Sequence, residues 1–134
     1  MRTRLTLLAC LFVFVFVLIV LGCNNDSVPL RFTGATETWE AEYTVNKVSN
    51  QLHEEELVLR YKAKDELNSN VKFEFNTNGG GGSLVSEVTG NQKVFKIKGG
   101  GSGAVPTQED IVTVKAQWNG KTEEFTLAHK LEAM

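Results

Sequence analysis

Side-chain alternation with a period of two runs through the chain from Trp39 onward, and no other feature narrows its possible folds so far. Trp39, Ala41, Tyr43 and Val45 share one face, while Glu40, Glu42, Thr44 and Asn46 share the other. The pattern recurs at Leu57, Leu59, Tyr61 and Ala63, at Val71, Phe73 and Phe75, and at Phe95 and Ile97. It recurs again at Val112, Val114, Ala116 and Trp118, and a weaker run extends from Leu84 to Thr89. Successive side chains of a strand point to opposite faces, so each run predicts a half-buried strand rather than a helix. Asn119-Gly120 then supplies two residues that tolerate positive φ, the requirement of a two-residue hairpin turn. Setting Trp118 opposite Lys121 places Val114 across from Phe125 and Val112 across from Leu127, so apolar meets apolar. Glu123 opposite Ala116 is the one mismatched step.

Helical signals are thin. Asn50–Glu56 and Thr107–Asp110 have turn character, and Pro106 before an acidic stretch suits a short helical start. The expectation is therefore an all-β fold of about seven strands, an immunoglobulin-like or fibronectin-type sandwich following an N-terminal signal helix. A small β-barrel is the alternative, because strand count alone does not separate the two. The long link Gly99–Asp110 would suit a Greek-key crossover. Alternation assigns to the core Trp39, Tyr43, Leu57, Leu59, Tyr61, Phe73, Phe75, Phe95, Ile97, Val112, Val114, Trp118, Phe125 and Leu127. At about 1.5–3 kcal/mol per large buried side chain, such a core can offset the chain entropy of a single small domain.

The first 22 residues follow a different rule. Arg2 and Arg4 are followed by an almost wholly apolar run, Leu5 to Leu21, and the chain turns polar at Asn24-Asn25-Asp26-Ser27. A cationic start, an apolar middle and a small residue before the polar switch describe an export signal. Val20-Leu21-Gly22-Cys23 resembles the lipobox of bacterial lipoproteins, with an aliphatic residue, a small residue and then cysteine; Leu21 is bulkier than the usual occupant of its place. The resemblance implies cleavage between Gly22 and Cys23 and a diacylglyceryl thioether on Cys23. An uncleaved helical anchor and plain secretion are the competing readings. Cys10 would leave with the signal, so the mature chain would keep only Cys23 and form no internal disulfide. Residues 1–22 are thus read as signal peptide, 23–29 as lipidated cysteine and short tether, and 30–134 as one β domain. Six extended residues from Asn24 to Pro29 reach about 20 Å, which keeps the domain near the membrane.

Two further stretches resemble a group of small lipoproteins of Bacillus-like Gram-positive bacteria. One is Phe32-Thr33-Gly34 with Trp39 and Tyr43 downstream; the other is Trp118-Asn119-Gly120-Lys121. The likeness brackets the mature chain and implies an extracellular β domain on the outer face of a Gram-positive cell membrane. It implies no activity.

Charge and chemistry narrow the function by exclusion. The chain has 14 Lys plus Arg against 16 Asp plus Glu, and loss of Arg2 and Arg4 leaves 12 against 16, a net charge of −4. An anionic surface with dispersed lysines is a poor binder of nucleic acid. Gly79-Gly80-Gly81-Gly82-Ser83 and Gly99-Gly100-Gly101-Ser102-Gly103 lack the Lys-Ser/Thr and helix N-terminus of a phosphate loop, and read as flexible linkers. His53 beside Glu54-Glu55-Glu56, together with His129, falls short of a zinc set, and His53 reads as a solvated loop residue. Ser49, Ser69, Ser83, Ser86 and Ser102 have no nucleophile-elbow context. Trp39 and Trp118 read as core rather than as sugar-stacking platforms. No cofactor, metal or catalytic residue is expected. The reading is a non-enzymatic module tethered to the membrane through diacylglyceryl-Cys23, binding an envelope protein or ligand through loops or a strand edge. The alternatives are an accessory lipoprotein that carries a ligand to a transporter, and a small envelope hydrolase.

Overall fold

The computed structural model describes residues 28–49, 51–67, 70–102 and 104–130. Alternating burial organises them into eight strands: β1 (Leu30–Ala35), β2 (Trp39–Lys47), β3 (His53–Tyr61), β4 (Val71–Thr77), β5 (Gly80–Ser86), β6 (Val94–Gly101), β7 (Ile111–Trp118) and β8 (Lys121–His129). All belong to one antiparallel sheet in the order β5-β4-β7-β8-β1-β2-β3-β6. The all-β expectation holds. The sheet curls almost into a barrel, so its two halves face each other across one core while pairing continues through β8 and β1.

Ring contacts report the curl. β2 and β4 stand four places apart in the sheet, yet Trp39 meets Phe73 at 5.1 Å and Tyr43 meets Phe75 at 5.6 Å between ring centroids. Trp39 also touches Tyr61, Phe95 and Trp118, with the two indoles edge to face at 5.4 Å. Both tryptophans are core residues. Edge-to-face rings add attraction beyond the area they bury.

The β7–β8 hairpin has the register that turn chemistry demands: Trp118 opposite Lys121, Val114 opposite Phe125, Val112 opposite Leu127. Asn119 and Gly120 have φ of 45° and 73°, the left-handed region for which an Asn-Gly pair is suited. At the β1–β2 hairpin, Thr36 Oγ1 accepts from the backbone N–H groups of Thr38 and Trp39 at 3.1 and 2.9 Å, tightening the turn that delivers Trp39 inward.

Several expectations need correction. Eight strands answer the expected about seven, and β1 is the one that alternation did not mark, because it holds just one large buried side chain, Phe32, and has Gly34 where a further hydrophobe would have stood. Gly34 is required there by close approach: a Cβ would collide with the Thr126 carbonyl and the Leu127 side chain of β8. Gly34→Val is expected to lower the unfolding free energy by about 1–3 kcal/mol, read as a lower urea midpoint with an unchanged slope. The weak fourth strand lies at Gly80–Ser86, ahead of Leu84–Thr89, and the link between β6 and β7 starts at Ser102 rather than Gly99. Ile97 and Phe125 are only partly buried. No helix long and apolar enough to cross a membrane occurs among the described residues; Thr107–Asp110 is a single turn, with Asp110 N–H donating to the Thr107 carbonyl at 3.1 Å.

Antiparallel order gives the barrel two distinct ends. β1, β3, β5 and β7 start, and β2, β4, β6 and β8 finish, at what we call the lower end. The upper end is covered by the segment after β3, where Leu67 is buried and the Glu66 carbonyl accepts from Asn119 Nδ2 at 3.0 Å. The lower end is crossed by the link from β6 to β7, which seats Pro106 in a buried position.

Candidate functional site

The inward-facing line of β3 changes character as it approaches the lower end. Tyr61, Leu59 and Leu57 are core, but the next two inward positions are Glu55 and His53. His53 is the first residue of β3 and its side chain is 10% exposed, so it is not the solvated loop residue its polar neighbours suggested. His53 Nε2 lies 4.0 Å from Glu55 Oε2, and the same carboxylate oxygen accepts a hydrogen bond from the Tyr43 hydroxyl. Burial raises the Tyr43 pKa well above the usual phenol range, and the hydrogen bond to Glu55 and its negative charge raise it further. The hydroxyl thus stays protonated and donating at any physiological pH.

The glycine runs make room for this row. Glu55 pairs with Gly99 and His53 with Gly101 across β3–β6. A Cβ on Gly99 would sit 3.2 Å from Glu55 Oε1, and on β5 a Cβ on Gly82 would strike the Phe75 ring at 2.7 Å. Neighbouring side chains lie over bare backbone, which is why both runs are strand and not the flexible linkers that composition suggested. The signal was present in part: Asn78-Gly79 follows the alternating Val71–Phe75 run as a hairpin dipeptide, and the segment folds back there.

β5 and β6 are the two ends of the sheet order and share no ladder. Between their glycine ends lies a cleft of about 180 Å³, lined by His53, Glu55, Thr77, Gly80, Gly101 and Ser102. Among the described residues the buried His53 Nδ1 has no hydrogen-bond partner, and its side chain lines this cleft. A buried imidazole nitrogen left unpaired costs free energy that a polar ligand would recover. Unladdered strand edges likewise offer backbone N–H and C=O groups to an added chain.

Compared with protein-family models, with curated proteins and with solved structures, the chain matches none.

Other positions offer less. A depression of about 330 Å³ on the outer face of β1–β3 includes Glu40 and Arg60, but these already pair with each other at 3.6 Å. Among the described residues, no group of three or more His, Cys, Asp or Glu is placed to hold a metal ion. His129 lies edge-on to Phe32 at 5.7 Å. Ser49 serves its own turn, accepting from the N–H groups of Gln51 and Leu52. Ser83 and Ser86 lie in β5, while Ser69 falls outside the described residues. At the upper end the Tyr61 hydroxyl donates to Asp65 at 2.7 Å and holds that carboxyl below its ordinary range, a contact that fastens the covering segment. Gly22 and Cys23 also lie outside the described residues.

Proposed function

We propose that this chain is a lipid-anchored, non-enzymatic binding module on the outer face of the cell membrane, and that the β5–β6 cleft holds its ligand. The anchor reading rests on the Val20-Leu21-Gly22-Cys23 motif behind a cationic and apolar segment. The binding reading rests on one observation: the His53 side chain, whose Nδ1 has no hydrogen-bond partner among the described residues, lines a cleft between two glycine strand ends that do not ladder with each other. A ligand suited to such a cleft is a polar, extended chain. It would add to a strand edge through backbone-type hydrogen bonds and present one group to the imidazole. Bare glycine walls suit close approach of such a chain.

Gly101 provides the test. Among the described residues, its Cβ direction meets just His53 Cε1 at 3.8 Å, and its φ lies outside the left-handed region. Gly101→Leu should therefore fill the cleft without unfolding the domain. A photo-crosslinker at Ser102 in intact cells is expected to give an adduct that disappears in Gly101→Leu, whose melting temperature stays within about 2 °C of the parent. A control crosslinker at Thr126, across the barrel, should give no such adduct. An adduct indifferent to Gly101→Leu would remove the cleft as the binding site.

A further inference from the structure

Large apolar side chains are not exposed evenly over the barrel. Among the described residues six are exposed, and four of them gather at the lower end: Val28 at 79%, Val48 at 59%, Leu52 at 54% and Ile111 at 57%. Val28 precedes β1, Val48 and Leu52 flank the β2–β3 turn, and Ile111 opens β7. Behind this rim lies an open apolar hollow of about 430 Å³, whose walls include Leu30, Val45, Val105 and Pro106. Water-facing clusters of this kind mark a contact surface.

The chain itself points to what covers it. Cys23 stands five residues before Val28, and five residues span at most about 17 Å even when fully extended. The nine-residue strands are about 30 Å long, so a tether of this reach holds the lower end at the headgroups and the upper end away from them. At such a distance the bilayer is present at high effective concentration, and modest apolar contacts suffice to keep the domain seated. The excess of acidic residues leaves insertion of apolar side chains, rather than charge, as the attraction.

We infer that the lower end docks on the bilayer surface, with Val28, Val48 and Leu52 inserted at the headgroup–acyl boundary and the barrel standing end-on. This inference rests on the lipid anchor proposed above. It places the mouth of the His53 cleft beside the membrane, so that a ligand reaches it along the surface.

The experiment uses the mature lipidated protein in phosphatidylcholine vesicles. A cysteine is introduced at Val48, or at Asn91 beyond the upper end, and labelled with an environment-sensitive fluorophore. With the Cys23 sulfur held in a thioether, the introduced thiol is the only reactive one. The label at residue 48 should shift to the blue and be quenched by brominated acyl chains, and the label at 91 should do neither. Leu52→Asp should reduce quenching at residue 48 by about tenfold, or ~1.4 kcal/mol, at an unchanged melting temperature. Quenching should be insensitive to added salt. An unquenched label at 48, or equal quenching at both positions, on protein bearing the diacylglyceryl mass overturns docking and leaves the anchor standing. Protein that lacks that mass and labels at Cys23 overturns the anchor instead.

Discussion

Replacing Cys23 with alanine is expected to abolish stable anchoring of the mature domain, lowering its membrane-bound fraction at least about 100-fold. The size of the effect follows from chain arithmetic. One acyl chain gives only marginal, reversible binding, whereas two give stable attachment, each buried CH₂ contributing about 0.8 kcal/mol. Without them the domain carries a net charge of −4 and a rim of a few aliphatic side chains, which hold it at the surface only while a tether keeps it there. The variant should appear either as a soluble domain or as a precursor that retains residues 1–22. Fractionation together with intact mass spectrometry separates these from the parent, which should begin at Cys23 with an added diacylglyceryl group. A Cys23→Ala protein with the parent's processing and membrane partition would rule out thioether anchoring.

Trp39→Ala is expected to be the most destabilising single truncation, costing about 3–5 kcal/mol. The indole is fully buried and touches Tyr61, Phe73, Phe95 and Trp118. These rings come from strands on opposite walls of the curled sheet, so deletion opens a void at the point where those walls meet. Against a total stability of about 5–15 kcal/mol the loss is large, and Tm should fall by at least about 12 °C. Among the described residues the buried indole Nε1–H has no partner. Trp39→Phe removes that orphan donor while keeping a ring, and is expected to cost about half as much or less. Thermal unfolding of the two variants decides the matter; a loss near 1 kcal/mol for Trp39→Ala would mean that the walls do not close on this residue.

The site was less legible than the fold, for a reason visible at His53. Its sequence neighbours are polar, and periodicity from Glu54 to Glu56 carries no apolar signal to reveal which residues face inward. The alternation of β3 nevertheless continues through Leu57 into Glu55 and His53, because pairing with β2 and β6 holds the register. Glycine misleads in the same way. A run of it reads as a linker when seen alone, and becomes strand when a Phe75 ring or a Glu55 carboxylate from the neighbouring strand needs the space.

Local pattern by itself determined the β class, most of the apolar inward set from Trp39 to Leu127 and the register of the last hairpin, since each depends on a two-residue period or on one turn. Residue order likewise carries the Val20-Leu21-Gly22-Cys23 segment on which the proposed anchor rests. Only the tertiary structure decided that β1 bridges β2 and β8, that the sheet curls until β5 nears β6, and that His53 ends up largely withdrawn from solvent in a cleft lined by glycines. Those outcomes depend on contacts between residues far apart in the chain, and no local period encodes which distant strands will meet.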